Sequence, residues 1–237
     1  MSERAFRLPR AAKRPPPLSP TAAWAAAATG AAYLGVFVKV GHELIFEGQR
    51  GVAVLSMDRE AADWAIEIRR SWLTQAAIEV TSLGSVTVLG VIVALAAVGL
   101  YMTRDRLGAI LLASATLGAI GWTSLLKNLI ERERPPLAAR LVVTSGYSFP
   151  SGHSLASASI LGALALIACR HLSTRAEQLF ALGATLVIIC AVAASRVYLG
   201  VHYLTDVTAG TSFGLAWVLA WAAALSALEH RRIGTRV

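Results

Sequence analysis

Charge is what this sequence most lacks. Aspartate, glutamate, lysine and arginine together make up 15% of its 237 residues, against about 25% in an ordinary soluble domain. With 56% hydrophobic residues and a mean hydropathy of +0.60, that deficit excludes a water-solvated globule and points to a membrane protein. Cysteine is nearly missing as well, with two in the whole chain. Internal repeats and low-complexity segments are absent, which argues against a solenoid or a linker-rich chain.

The apolar residues gather into six runs, each close to the about 20 residues a helix needs to cross the hydrocarbon. They cover Thr21–Val40, Leu83–Met102, Leu107–Leu126, Leu155–Ala168, Gln178–Ala194 and Leu204–Leu228. The expected fold is therefore all-α: an integral membrane bundle of six transmembrane helices forming one domain over residues 21–228. A basic, Pro-rich tail (1–20) and a short basic tail (229–237) flank it. The first run follows a basic stretch as a signal peptide would, but it is too long for the apolar core of one and reads as a retained anchor.

Lys and Arg set the orientation. Both tails, the turn holding Arg104 and Arg106 and the loop holding Arg170 and Arg175 fall on one side. Together they carry twelve basic residues against four acids. That side is expected to be cytoplasmic, with both termini on it. The net charge of +8 then reflects topology and contact with anionic headgroups rather than nucleic-acid binding. Cys169 and Cys190 fall near opposite faces in this topology, too far apart for a disulfide.

Residues Gly41–Val80 lie on the other side and are more polar. Trp64, Ile68 and Trp72 recur at four-residue spacing, which predicts an amphipathic helix in the interface with its tryptophans at headgroup depth. Its role is open between packing on the bundle and admitting a lipid. The pair Gly210 and Gly214 permits close helix approach, a weak signal by itself.

Three polar clusters remain, and the topology brings all of them to the outer face. "KNLIERERP" closes the third span with Lys127 and Arg134. "FPSGHS" opens the fourth with Ser151, Gly152 and His153. "SRVYLGVHYLTD" bridges the fifth and sixth with Arg196, His202 and Asp206. Each has a plain reading. Ser151 or Ser154 can cap a helix, Lys127 and Arg134 can snorkel, and His202 with Asp206 can be a satisfied i, i+4 pair. The plain readings do not explain why three cations converge where the charge rule disfavours them.

Phosphoryl chemistry accounts for the set. A carboxylate that holds one ring nitrogen of His202 aims the other outward as a nucleophile. Lys127, Arg134 and Arg196 supply the positive charge that phosphoryl transfer needs, and a helix N-terminus at Ser151 and Gly152 adds donors. His153 is placed to protonate a leaving oxygen. A metal site is the rival for a His/His/Asp group, but three permanent cations repel a divalent ion and the ligand count falls short. No metal and no cofactor are expected.

These stretches resemble the three signatures of the type 2 phosphatidic acid phosphatase superfamily, K-x-x-x-x-x-x-R-P, P-S-G-H and S-R-x-x-x-x-x-H-x-x-x-D. Lys127/Arg134/Pro135, Pro150/Ser151/Gly152/His153 and Ser195/Arg196/His202/Asp206 fill every position, in order, over residues 127–206. Leu204 departs from the proline of many bacterial relatives, outside the catalytic set. The resemblance implies that His202 takes the phosphoryl group, Asp206 orients it and His153 is the general acid. Lys127, Arg134, Ser151, Gly152 and Arg196 then hold the phosphate.

The activity expected is metal-independent hydrolysis of a membrane lipid phosphate or isoprenoid diphosphate in the bilayer, through a phosphohistidine. Undecaprenyl diphosphate, phosphatidic acid and phosphatidylglycerol phosphate are the candidate substrates, and the sequence does not choose among them. A phosphotransferase of the same family, passing the phosphoryl group to another lipid, is the alternative. A non-enzymatic anion carrier is disfavoured because a conduit needs no oriented His–Asp pair. Haloperoxidase activity attaches to larger, soluble relatives. Oligomeric state is left open.

Overall fold

The computed structural model describes residues 18–47 and 52–234, so most of the basic tail expected over residues 1–20, and the last three residues of the tail expected over 229–237, lie outside the described residues. Eight α-helices account for the described fold: α1 (Pro20–His42), α2 (Val52–Glu67), α3 (Ser71–Ser82), α4 (Val86–Thr103), α5 (Arg106–Ile130), α6 (Gly152–His171), α7 (Arg175–Tyr198) and α8 (Leu204–Gly234). Six of them, α1 and α4–α8, are long and apolar enough to cross a membrane, and they coincide with the six runs read from the sequence. α8 continues as helix to Gly234, past the expected end at Leu228.

Side-chain caps start most of the spans. Ser19, Ser85, Asp105 and Ser151 each accept a backbone N–H from the first turn of α1, α4, α5 and α6. Thr174 and Glu177 form a reciprocal capping box on α7. Such caps satisfy donors that have no partner within the helix.

The helix at the centre is α6, which packs against α5, α7 and α8. Its buried residues are mostly small: Ser154, Ser157, Ala158, Ser159, Gly162, Ala163 and Ala165. In lipid, helices associate through close packing rather than through hydrophobic exclusion, and small side chains let the axes approach. The α8 glycines show how close. A Cβ at Gly210 would stand 2.7 Å from the Ser151 carbonyl oxygen, and one at Gly214 would stand 2.6 Å from that of Leu155. The weak Gly210/Gly214 signal therefore marks the α6–α8 crossing, and that crossing sets the start of α6 against the start of α8. Leu95, Leu117, Phe180 and Val187, by contrast, are exposed on α4, α5 and α7, as lipid-facing positions are.

The chain between α1 and α4 departs from expectation. Trp64, Ile68 and Trp72 do not share one helix, because α2 stops at Glu67 and α3 starts at Ser71. Trp64 and Trp72 are exposed, while Ile68 packs on the cluster of Tyr198, Leu199 and Val201. The break is made by tertiary hydrogen bonds. The Tyr198 hydroxyl receives the Arg70 N–H at 3.2 Å, and Arg69 Nη2 donates to the Ala139 carbonyl at 2.6 Å. No glycine or proline announces it.

The two ends of the bundle differ in chemistry. At one end Asp105 accepts from Arg170 Nη1 at 3.1 Å and lies 3.3 Å from His171 Nε2. At the same end the Leu18 N–H reaches the Ser226 hydroxyl, joining the start of α1 to the last turns of α8. The three polar clusters meet at the other end.

Candidate active site

The end of α5, the start of α6, the end of α7 and the start of α8 converge, and each brings part of one motif. Between α7 and α8 the chain turns through Gly200, whose φ is +69°. A Cβ there would stand 2.1 Å from the Ala139 carbonyl oxygen, so only glycine lets the 137–141 segment lie against the turn. Leu141 N–H donates to the Leu199 carbonyl at 3.0 Å, and Ser148 N–H to that of Arg132 at 2.8 Å. These bonds fold the long α5–α6 connection over the site.

His202 and Asp206 form the pair expected of them. Nδ1 of His202 lies 3.4 Å from Asp206 Oδ2, and both residues are buried. Nε2, the other ring nitrogen, faces Arg134 Nη1 at 3.1 Å. A guanidinium only donates, so Nε2 carries the lone pair and Nδ1 the proton. Burial pushes the His202 pKa down to about 4. The hydrogen bond and charge of Asp206 oppose that shift, while Arg134 and Arg196 add to it. The ring is neutral at pH 7.

Four cations surround the pair, each already engaged. Arg134 spends most of its fork on carbonyls: Nε on Gly146 at 2.8 Å, Nη2 on Ser145 at 3.0 Å and Nη1 on Val201 at 2.8 Å. Lys127 Nζ donates to the neighbouring Tyr147 carbonyl. Both motif cations thus grip the 145–147 segment, which no periodicity in the sequence indicates. Arg196 is buried and donates from Nη1 to Thr81 Oγ1 at 2.9 Å. Its Nε is buried without a hydrogen-bond partner. The fourth cation, Arg132, was not singled out by the sequence.

The P-S-G-H segment serves as a helix start in the way expected. Ser151 Oγ accepts from the Ser154 N–H and the Ser154 hydroxyl, leaving its own proton to donate. The Ser151 N–H is bonded to the Asp206 carbonyl at 3.0 Å, which ties the α6 cap to α8. A Cβ on Gly152 would meet Thr123 at 3.1 Å. Half-buried His153 stands within electrostatic reach of Arg196, His202, Arg134 and Lys127. All eight residues singled out in the motifs therefore lie at one end of the bundle.

Sequence reading missed the support behind Asp206. Its shortest hydrogen bond goes not to His202 but to Arg132 Nη1, 2.5 Å from Oδ1. Arg132 also pairs with the buried carboxylate of Asp58 on α2, at 2.6 Å. Burial disfavours the Arg132 charge, but Asp206 and Asp58 outweigh that and raise its pKa. Arg132 sits inside the first motif at a position the motif leaves free, and only its alternation with Arg134 in "RER" could have drawn notice. Nothing in the α2 sequence sets Asp58 apart from Glu60 or Asp63.

Comparison with known proteins identifies the family. The PAP2 superfamily model matches residues 106–229. Phosphatidylglycerophosphatase B of Bacillus subtilis (strain 168) is 33% identical over 166 residues, covering 69% of this chain and 80% of the relative. The crystal structure of a transmembrane PAP2-type phosphatidylglycerolphosphate phosphatase from Bacillus subtilis superposes with a TM-score of 0.73 at 28% identity. It covers 86% of this chain and 96% of that one. Aquifex aeolicus LpxE, at a TM-score of 0.51 and 20% identity over 74% of this chain and 95% of its own, shares the fold. The family match takes in α5 to α8, the four helices that build the site, and the chain belongs to the PAP2 superfamily, among its multi-pass membrane phosphatases.

Proposed function

We propose that this phosphatase removes phosphate from a membrane lipid phosphate or isoprenoid diphosphate through a phosphohistidine on His202. The observation that carries the reading is the neutral imidazole of His202, held on Nδ1 by Asp206 and surrounded by Lys127, Arg134 and Arg196. Nε2 attacks phosphorus, and the bond from phosphorus to the leaving oxygen breaks with its electron pair on that oxygen. His153 delivers a proton there. Water then attacks the phosphohistidine, giving up a proton to the same imidazole, and inorganic phosphate leaves as His202 regains its lone pair.

Positive charge stabilises the oxygens in both steps. The unpartnered Nε of Arg196 is a buried donor that a phosphate oxygen would satisfy. Arg134 Nη1 must pass from Nε2 to the phosphate as the substrate enters. Names of the Bacillus subtilis relatives favour phosphatidylglycerol phosphate over undecaprenyl diphosphate and phosphatidic acid. Water as acceptor, rather than a second lipid, fits the same names.

The test is phosphate release by purified protein from a panel of these three lipids in detergent, with EDTA present. Among the described residues no three carboxylate, imidazole or thiol side chains gather as a metal cage would require. Activity is expected to survive EDTA, and vanadate, which mimics five-coordinate phosphorus, to inhibit it. Loss with chelator and recovery with a divalent ion would overturn the mechanism.

The orientation belongs to the same proposal. The end bearing Asp105, Arg170, the start of α1 and the end of α8 faces the cytoplasm, and the site faces outward from a bacterial plasma membrane. The six-helix unit of residues 21–228 is one functional domain, with basic tails on its cytoplasmic side. Ala138 and Ser173 are both exposed, at the site end and the far end. In a background lacking Cys169 and Cys190, Ala138→Cys is expected to react with an impermeant thiol reagent on intact cells and Ser173→Cys only after lysis. The reverse pattern would put the chemistry inside the cell.

A further inference from the structure

Behind the reacting pair lies a buried acid that the reaction scheme leaves unused. Asp58 on α2 is 2% exposed. Its Oδ1 accepts the Thr205 N–H at 2.9 Å, and its Oδ2 accepts from Thr205 Oγ1 at 2.7 Å and Arg132 Nη2 at 2.6 Å. The other arm of Arg132 reaches Thr205 Oγ1 at 2.8 Å and Asp206 Oδ1 at 2.5 Å. The guanidinium also lies over the Tyr203 ring, 4.2 Å from its centre, and the Tyr203 N–H donates to Asp206 Oδ2 at 3.0 Å. A planar fork clamped between two carboxylates and an aromatic face has one orientation available to it.

We infer that Arg132 and Asp58 are positioning residues for the phosphoryl transfer: Arg132 fixes Asp206 by its Oδ1, Asp58 fixes Arg132, and Oδ2 is thereby presented to His202. The inference rests on His202 being the nucleophile. Without Arg132, Oδ1 of Asp206 loses its anchor, and the carboxylate, held only by the Tyr203 N–H on Oδ2, can turn away from the ring at 3.4 Å. Without Asp58, the guanidinium charge falls on Asp206 alone and weakens its hold on the imidazole. The element between α1 and α4 then has a catalytic purpose, since α2 supplies the far end of the chain of contacts.

The two substitutions have opposite electrical signs, whereas a general loosening of the packing would move His202 the same way in both, and the kcat loss at unchanged KM separates positioning from charge alone. His202 is faced by Asp206 on α8, Arg196 on α7, His153 on α6 and Arg134 after the end of α5, with Lys127 beside His153 and Arg134. None of these is altered. Arg132→Gln removes a positive charge behind Asp206 and so raises the His202 pKa. Asp58→Asn removes a negative charge and lowers it. Shifts of roughly half a pH unit or more are expected, and the double variant is expected to cancel them.

The experiment uses the full chain in detergent, with histidine-selective 15N NMR for the His202 titration and phosphate release for turnover. Each single variant is expected to lose about 10- to 100-fold in kcat, the range in which partners that orient a reacting or ligating group act. KM should barely move. Arg132→Lys, which keeps the charge, should hold the His202 pKa near its native value and recover part of the kcat. Thr205→Val, which removes the hydroxyl shared by Asp58 and Arg132, is the second route should Asp58→Asn not fold. Native kcat in the variants, or shifts of the same sign, would overturn the inference. A native protein that releases no phosphate while the opposite shifts are seen would instead sink the functional reading and leave the positioning geometry standing.

Discussion

His202→Ala is expected to abolish phosphate release and to leave no phosphoenzyme, whichever lipid is supplied. The residue is buried, its Nδ1 is held by Asp206, and its Nε2 carries the lone pair that the proposed attack on phosphorus requires. The other motif imidazole, His153, is faced by Arg196, His202, Arg134 and Lys127 rather than by a carboxylate, and cannot take the same role. His153→Ala is expected to slow the first chemical step by about 10²–10⁴-fold, the usual worth of general acid help. The loss should shrink for a nitrophenyl phosphate, whose leaving group needs no proton. Asp206→Asn keeps the shape, yet its amide cannot stabilise a cationic imidazole or fix the tautomer. A loss of up to ~10⁴-fold is expected from that change. Since the His202 pKa lies at about 4, the reactive neutral ring is present above that value and lost as pH falls through it. The acid limb of kcat/KM should therefore lie well below neutrality and be shared by all three lipids. Near-native turnover by His202→Ala would remove the basis of the mechanism.

The spans and the motif residues were legible because each follows from a local rule. A run of apolar residues long enough to cross the hydrocarbon has few alternatives to a helix, and three motifs at fixed spacing put named groups at helix ends. What was not legible depends on contacts between distant segments. The kink after Glu67 exists because Tyr198, far along the chain, offers its hydroxyl to Arg70. The stripe of Trp64, Ile68 and Trp72 has helical spacing, but that hydrogen bond outweighs it and turns Ile68 inward. The engagement of Arg134 and Lys127 with the carbonyls of residues 145–147 was equally hidden, since backbone acceptors leave no trace in side-chain identity. Asp58 is the clearest case. On α2 it is one acid among several, and only the fold brings it against Arg132 and Thr205. Gly210 and Gly214 lie between these extremes: their spacing was visible, but the carbonyls they admit, those of Ser151 and Leu155, were not.

Arg134→Lys is the second substitution expected to be severely damaging, although it preserves charge. The guanidinium makes four contacts in three directions: to Gly146 and Ser145 on one side, to Val201 on another, and to Nε2 of His202. An ammonium is a single nitrogen on a flexible stem and cannot span them. The 145–147 segment then loses two of its holds, keeping the Lys127 contact, and His202 loses the donor that faces its lone pair. On the proposed mechanism that same donor must move to the phosphate oxygens as charge builds on them, so the contact would belong to the transition state more than to the bound lipid. Removing one such donor commonly costs about 10²–10³-fold. The loss should appear equally in kcat and kcat/KM, and excess substrate should not restore it. Vanadate should weaken in parallel, because it samples the same five-coordinate geometry. Were KM to rise alone with kcat unchanged, Arg134 would be a headgroup anchor, and the charge stabilisation assigned to it would have to come from Lys127 and Arg196.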